Sequence, residues 1–288
     1  MARATKFETL NGFPRETITL ANWRTRPYSF WAFRNVSEMV RSARIRTASP
    51  SLLPAPVDNR DMLARPASPE ESQSVAELLA SSQADSFLLS RDGRLICEWH
   101  ADGVDRSDPH LVFSISKSIT ALVAGILEDQ GLLDPSAPVG RLVPEAGNSA
   151  YADATVQHLL DMRVSLDFDE SYLSQLDYAR YRRAMSWNPP SPDGGDEAML
   201  SFLCSLRKAP GEHGGDHTYL SPNSDMLGIV LERVTGERFP DLCSRLLWQP
   251  LGASADAFIT VDTEGAPRTA GGVSCRPHDL LALGQMLV

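Results

Sequence analysis

The chain has 288 residues, of which 42% are apolar, and 37 acidic against 27 basic side chains give a net charge of −10. That length can bury a sizeable core, and the acid excess leaves no basic surface to neutralise phosphates, which argues against nucleic acid and anionic membranes as partners. No run approaches the roughly 20 apolar residues of a spanning helix, and the first twenty residues lack the apolar block of a secretory leader, so a cytoplasmic location is expected.

Residues 1–70 carry aromatics, Trp23, Tyr28, Trp31 and Phe33, and then a proline-rich run from Pro50 to Pro69; the aromatics are expected to cover a core. A helix is predicted over 71–83. A hairpin follows over 86–99, where Asp92-Gly93 separates the apolar runs Phe87–Leu89 and Leu95–Cys97. Ile115, Ile119, Leu122, Val123, Ile126 and Leu127 recur at helical spacing, which predicts a buried helix over 114–130 stopped at Gly131. Short helices and loops fill 135–225. Helices are predicted over 224–236, ended by Gly236, and over 239–249. A strand is expected from Phe258 to Val261, and a last helix from Pro277.

The fold class is therefore α+β. An α/β part is expected over 1–134 and again over 226–288, with a mostly helical part over 135–225 between them. The chain stops at Val288 within a helical pattern, which predicts a fragment or a shortened product.

Chemistry concentrates at Phe113-Ser114-Ile115-Ser116-Lys117. A serine at a helix start lies where unpaired N–H groups and the positive dipole end favour negative charge. A lysine one turn later shares its face, and burial in an apolar helix lowers its pKa until it can take a proton. Serine is a weak nucleophile without such a base, and arginine cannot serve because it stays protonated. Lys6, Lys117 and Lys208 are the only lysines, so a lysine here is informative.

The same spacing recurs at Ser205 and Lys208, but near a helix end, where the dipole has the wrong sign for an anion. An ordinary N-cap is the plain alternative for Ser114. Tyr219, at a loop-to-helix boundary before Ser221-Pro222-Asn223, is a candidate acid and base, or else a core residue. His213 and His217 sit in a glycine-rich loop without a third clear ligand, so no metal is assigned. Cys97, Cys204, Cys243 and Cys275 show no metal-type pairing and are expected as reduced thiols; no cofactor fingerprint is present.

Ser114-x-x-Lys117 followed by Tyr219-x-Ser221 resembles the class C β-lactamases, the D-alanyl-D-alanine carboxypeptidases and related esterases. The flanking text, Trp31-Ala32-Phe33, Phe113 to Ser118, Tyr219 to Asp225 and Gly271 to Cys275, is similar to the 6-aminohexanoate-dimer hydrolase branch of that family, from about residue 20 to the end. The resemblance implies a β-lactamase-like antiparallel sheet flanked by helices. It implies Ser114 as nucleophile with Lys117 and Tyr219 moving the proton. It places Tyr172 where a tyrosine holds substrate and leaving group, Ser221 in the cleft, and Gly271 and Gly272 in a turn beside it. The family's third motif, a Lys-Thr-Gly or His-containing strand, is absent, so the last strands and a second oxyanion donor are expected to be missing.

The expected function is hydrolysis of a small ester or linear amide through an acyl-enzyme, with a homodimer left open as the assembly. The rivals are a non-catalytic binding relative and a β-lactamase or D,D-peptidase.

Overall fold

The computed structural model describes residues 13–70, 72–171 and 177–288. The first segment contributes α1 (Tyr28–Ala32), the strand β1 (Ser42–Ile45) and α2 (Arg60–Leu63). A capping box then opens α3 (Val75–Ser81): Ser74 N–H donates to Glu77 at 2.7 Å, and Glu77 N–H donates to Ser74 Oγ at 3.2 Å. This is why the helix starts at residue 75 rather than 71.

The predicted hairpin is β2 (Ser86–Arg91) with β3 (Arg94–His100), and both turn residues, Asp92 and Gly93, have positive φ, 51° and 73°. Next come β4 (His110–Leu111) and the long α4 (Ile115–Asp129). Ser116, Ile119, Thr120, Val123, Ala124 and Leu127 form its buried stripe, and Gly131 at φ 70° follows its end.

Residues beyond α4 supply α5 (Val139–Leu142), α6 (Val156–Leu160), α7 (Asp177–Ala184) and α8 (Met199–Ser205), with the short antiparallel pair β5 (Leu166–Asp167) and β6 (Arg207–Lys208). The chain then enters α9 (Ser221–Thr235), buried without interruption from Ser221 to Leu231 and closed by Gly236 at φ 70°. This helix begins three residues before the predicted start because Pro222 sits within its first turn, where a missing N–H costs no hydrogen bond. The predicted helix 239–249 is α10 (Phe239–Cys243) continued by a wide turn, in which Gln249 N–H donates to Ser244 C=O at 2.9 Å. The strands β7 (Ala257–Thr260) and β8 (Val273–Cys275) and the helix α11 (Pro277–Met286) complete the order.

The sheet runs β1-β7-β8-β4, antiparallel throughout, with Ser42 opposite Thr260, Phe258 opposite Ser274 and His110 opposite Cys275. The fold is thus α+β: an antiparallel sheet with helices packed beside it. α9 packs on α4, α5, α6, α8 and α10, so it is the axis of the core. Among the described residues no helix is long and apolar enough to cross a membrane.

One close approach sets how α9 meets the segment after β7. A Cβ on Gly228 would stand 2.5 Å from Thr269 Cγ2, whereas a Cβ on Gly125, on the exposed side of α4, meets nothing within 4 Å. The same substitution should therefore have opposite signs at the two positions. Gly228→Ala should lower the unfolding free energy by about 1–3 kcal/mol through overpacking. Gly125→Ala should raise it by about 0.5–1 kcal/mol through helix propensity. Urea unfolding of the two variants measures both.

Candidate active site

The chain reaches Ser114 through an abrupt turn. Val112 N–H still donates to Val273 C=O at 2.8 Å, in line with the sheet, and then Phe113 takes φ +44° before α4 begins. The N–H groups of Ile115, Ser116 and Lys117 donate to Val112, Phe113 and Ser114 carbonyls at 3.1, 2.9 and 3.0 Å. The Ser114 N–H has no partner among the described residues. Its hydroxyl makes no capping bond either, and its backbone is helical (φ −64°, ψ −11°), not the extended form usual for an N-cap. The capping alternative is therefore not the role Ser114 plays.

Two groups hold Ser114 Oγ instead. Lys117 Nζ donates to it at 3.1 Å and Tyr219 Oη at 2.7 Å. Lys117 also donates to Ala270 C=O at 2.6 Å and lies 4.9 Å from the centre of the Tyr219 ring. Burial, reinforced by the like charge of Arg268, lowers the Lys117 pKa from 10.5 to about 8. Tyr219 stands just ahead of α9 and is 47% exposed, facing the cleft rather than the core.

Beneath these residues is an ion pair that the motifs do not announce. Asp225, fully buried in α9, accepts from Arg268 Nη1 and from Tyr181 Oη, and Arg268 Nη1 also donates to Tyr181 Oη at 2.6 Å. The other Asp225 oxygen accepts from Ala270 N–H at 2.8 Å. One residue thus links two charges, its N–H bonded to the carboxylate and its C=O to the lysine. Thr269 Oγ1 donates to Ser224 C=O at 2.6 Å, and Val273 N–H donates to Ser116 Oγ at 3.0 Å, so segment 268–273 is tied to both α9 and α4.

These groups open into a cavity of about 360 Å³ lined by Arg24, Phe33, Phe113, Ser114, Lys117, Tyr178, Arg182, Trp187, Ser221, Arg268, Ala270 and Gly271. Its aromatic wall is a closed ring of edge-to-face contacts: Trp23 to Phe33 at 6.0 Å, Phe33 to Phe113 at 4.8 Å, Phe113 to Trp187 at 6.1 Å and Trp187 to Trp23 at 5.3 Å. The N-terminal aromatics therefore do cover a core, and Phe33 in addition faces the site.

Gly271 faces the cavity as well, since a Cβ there would make ordinary contact with Trp187 at 3.6 Å. Gly272 does not line it; a Cβ there would stand 2.4 Å from Thr260 Oγ1 and 2.8 Å from the Arg268 carbonyl, so its lack of a side chain is a packing requirement. Ser221 lines the cavity, and both its N–H and its Oγ donate to Glu170. Tyr172 lies outside the described residues.

The second Ser-x-x-Lys pair is spent elsewhere: Ser205 Oγ donates to Phe202 C=O, and Lys208 pairs with Asp153 and Glu212 at 3.2 and 3.1 Å. His213 bonds Asp153 and accepts from Ser165 N–H, and among the described residues no group of three or more His, Cys, Asp or Glu could hold a metal ion. Sequence reasoning missed Asp225, Arg268, Tyr181, Glu170, Trp187, Arg24 and Arg182. Only Asp225 carried a usable signal, a lone charge ahead of the apolar run Met226 to Leu231.

Known proteins place this arrangement. A class C β-lactamase superposes with a TM-score of 0.55 at 15% identity, covering 73% of this chain and 61% of its own. A Bacillus anthracis protein provisionally named a 6-aminohexanoate-dimer hydrolase superposes with a TM-score of 0.86 at 21% identity, covering 95% and 72%. These likenesses define a β-lactamase-like fold. In sequence, the β-lactamase family pattern matches residues 73–288. The 6-aminohexanoate-dimer hydrolase of Paenarthrobacter ureafaciens is 35% identical over 271 residues, 94% of this chain and 67% of that protein. The chain belongs to the β-lactamase family of serine hydrolases.

The two described lysines should titrate on opposite sides of the ordinary value. Lys117 is depressed to about 8 by burial, and Lys208 is raised by its bonds to Glu212 and Asp153. NMR of isotope-labelled lysine side chains should show one amine losing its proton near pH 8 and shifting in Ser114→Ala, and another protonated beyond pH 10.5.

Proposed function

We propose that the chain hydrolyses small esters or linear amides through an acyl-enzyme on Ser114. The observation that carries this reading is the double contact of Ser114 Oγ, 3.1 Å from Lys117 Nζ and 2.7 Å from Tyr219 Oη. Neutral Lys117 accepts the Ser114 proton, directly or through Tyr219, as Oγ attacks the acyl carbon. Negative charge develops on the carbonyl oxygen, where the unused Ser114 N–H and the positive end of α4 lie. Tyr219, backed by the lysine charge, then donates a proton to the leaving group. Water attacks the acyl-enzyme with the same groups acting in reverse, and Ser114 is regenerated.

Asp225 and Arg268 take no proton in this scheme. They hold Ala270, whose carbonyl accepts from the lysine. The dimer hydrolase relative favours linear amides over β-lactams as the substrate class.

Turnover of 4-nitrophenyl butyrate tests the scheme. Ser114→Ala should reduce it by about 10³-fold or more, and a fluorophosphonate should add mass to Ser114 in the parent protein alone. Because the base must be unprotonated, kcat/KM should climb with pH through about 8 and level above it. At pH 7 only about one molecule in ten then holds a neutral Lys117. Retained turnover in Ser114→Ala, or a flat profile between pH 6 and 9, contradicts the scheme.

A further inference from the structure

The cavity before Ser114 has an unusual charge balance. Four of its lining side chains are basic, Arg24, Lys117, Arg182 and Arg268, and none is acidic. This occurs in a chain with 37 acids against 27 bases, so a shortage of carboxylates is not the cause.

Two of the four charges are accounted for. Arg268 is matched by Asp225, and Lys117 is engaged by Ser114 Oγ and the Ala270 carbonyl. Arg24 and Arg182 remain, and among the described residues neither has a carboxylate partner. Arg24 Nη2 donates to Asn188 Oδ1 at 2.7 Å with its guanidinium 5.5 Å from the Trp23 ring; Arg182 Nε donates to Tyr178 C=O at 3.3 Å with its guanidinium 4.5 Å from the Tyr178 ring. These contacts hold each guanidinium while leaving its remaining N–H donors unspent.

The other two α7 arginines differ. Arg180 pairs with Glu197 and Arg183 with Asp196, so only the arginine that faces the cavity is left without an ion pair. Burial and the charge of Arg182 together lower the Arg24 pKa to about 10, the mark of two like charges sharing a partly dehydrated site. Glu170, bonded to a residue that lines the cleft, is engaged by Ser221.

We propose that the substrate carries a carboxylate, and that Arg24 and Arg182 are the specificity-determining pair that receives it in the cavity of Ser114. Guanidinium forks match a carboxylate in shape and charge, and one anion between two of them relieves their repulsion. This inference rests on the hydrolase reading for the reaction, while the anion site stands on the arginines alone.

Two matched ester pairs test it with the full chain. The first is 4-nitrophenyl hydrogen glutarate against 4-nitrophenyl butyrate, which puts the carboxylate on the acyl side. The second is 3-acetoxybenzoate against phenyl acetate, which puts it on the departing side with little change in leaving-group acidity. In at least one pair the anionic ester should have the higher kcat/KM by about tenfold or more. Arg24→Gln and Arg182→Gln should each erase most of that ratio, Arg182→Lys should keep much of it, and Arg182→Glu should bring it below one. A stabilising role for Arg182 would change all the rates but not this ratio.

A ratio at or below one in both pairs overturns the proposal, as does a preference that survives both Gln variants. Glutarate binding by calorimetry separates the two readings. A chain inert toward all four esters that still binds glutarate through Arg182 would sink the hydrolase reading and keep the anion site. Absence of binding together with absence of preference would remove the anion site.

Discussion

A carboxylate with no access to water lies in the second turn of α9, and the cleft is organised around neutralising it. Asp225 would be strongly destabilising alone, because an unpaired buried charge loses its hydration without compensation. Arg268 supplies the opposite charge, Tyr181 a hydroxyl, and Ala270 a backbone N–H. The third of these fixes Ala270 on its N–H side, and the carbonyl of the same residue meets Lys117. The lysine is held by the same residue that completes the carboxylate's shell. Its lowered pKa follows from that placement, since it sits in a buried region close to a second cation. A structural ion pair and an amine of lowered pKa are thus two ends of one hydrogen-bonded chain.

That chain also explains why the segment 268–273 must lie so close to its neighbours. Thr269 is in contact range of any side chain at residue 228, and Thr260 and Arg268 leave no space beside Gly272. Small residues at these two positions let the backbone come near enough for Ala270 to bridge Asp225 and Lys117. The resemblance placed Gly271 and Gly272 together beside the cleft, and they divide the work: the first is part of the cavity wall, and the second permits the approach behind it.

What was legible in the sequence was local. The periodicity of Ile115 to Leu127, the Asp92-Gly93 turn and the stop at Gly236 all act within a few residues, and each element is present. Ser114 and Lys117 were legible because one helical turn separates them. An acid-base Tyr219 was one of two readings from its place ahead of a helix, and the motif shared with a known family singled it out; nothing in its spacing from Ser114 requires a 2.7 Å contact. The rest of the cleft comes from pairings across the chain with no local pattern: Asp225 with Arg268, Trp23 with Trp187, and Arg24 with Asn188. Boundaries shifted where side-chain chemistry overrode periodicity, as with the capping box that delays α3 and the proline that α9 absorbs.

Residue 113 shows what the turn into α4 demands. A left-handed backbone at φ +44° suits glycine, whereas a ring is needed there to close the circle of Trp23, Phe33 and Trp187. No single residue meets both demands, and the chain keeps the ring at a conformational cost of about 1–3 kcal/mol. The packing of the aromatic wall therefore offsets that cost and keeps the residue before Ser114 in its turn. Loosening the four rings would remove that support next to the hydroxyl that Lys117 and Tyr219 hold. The backbone turn into Ser114 is in this sense coupled to packing on the far side of the wall.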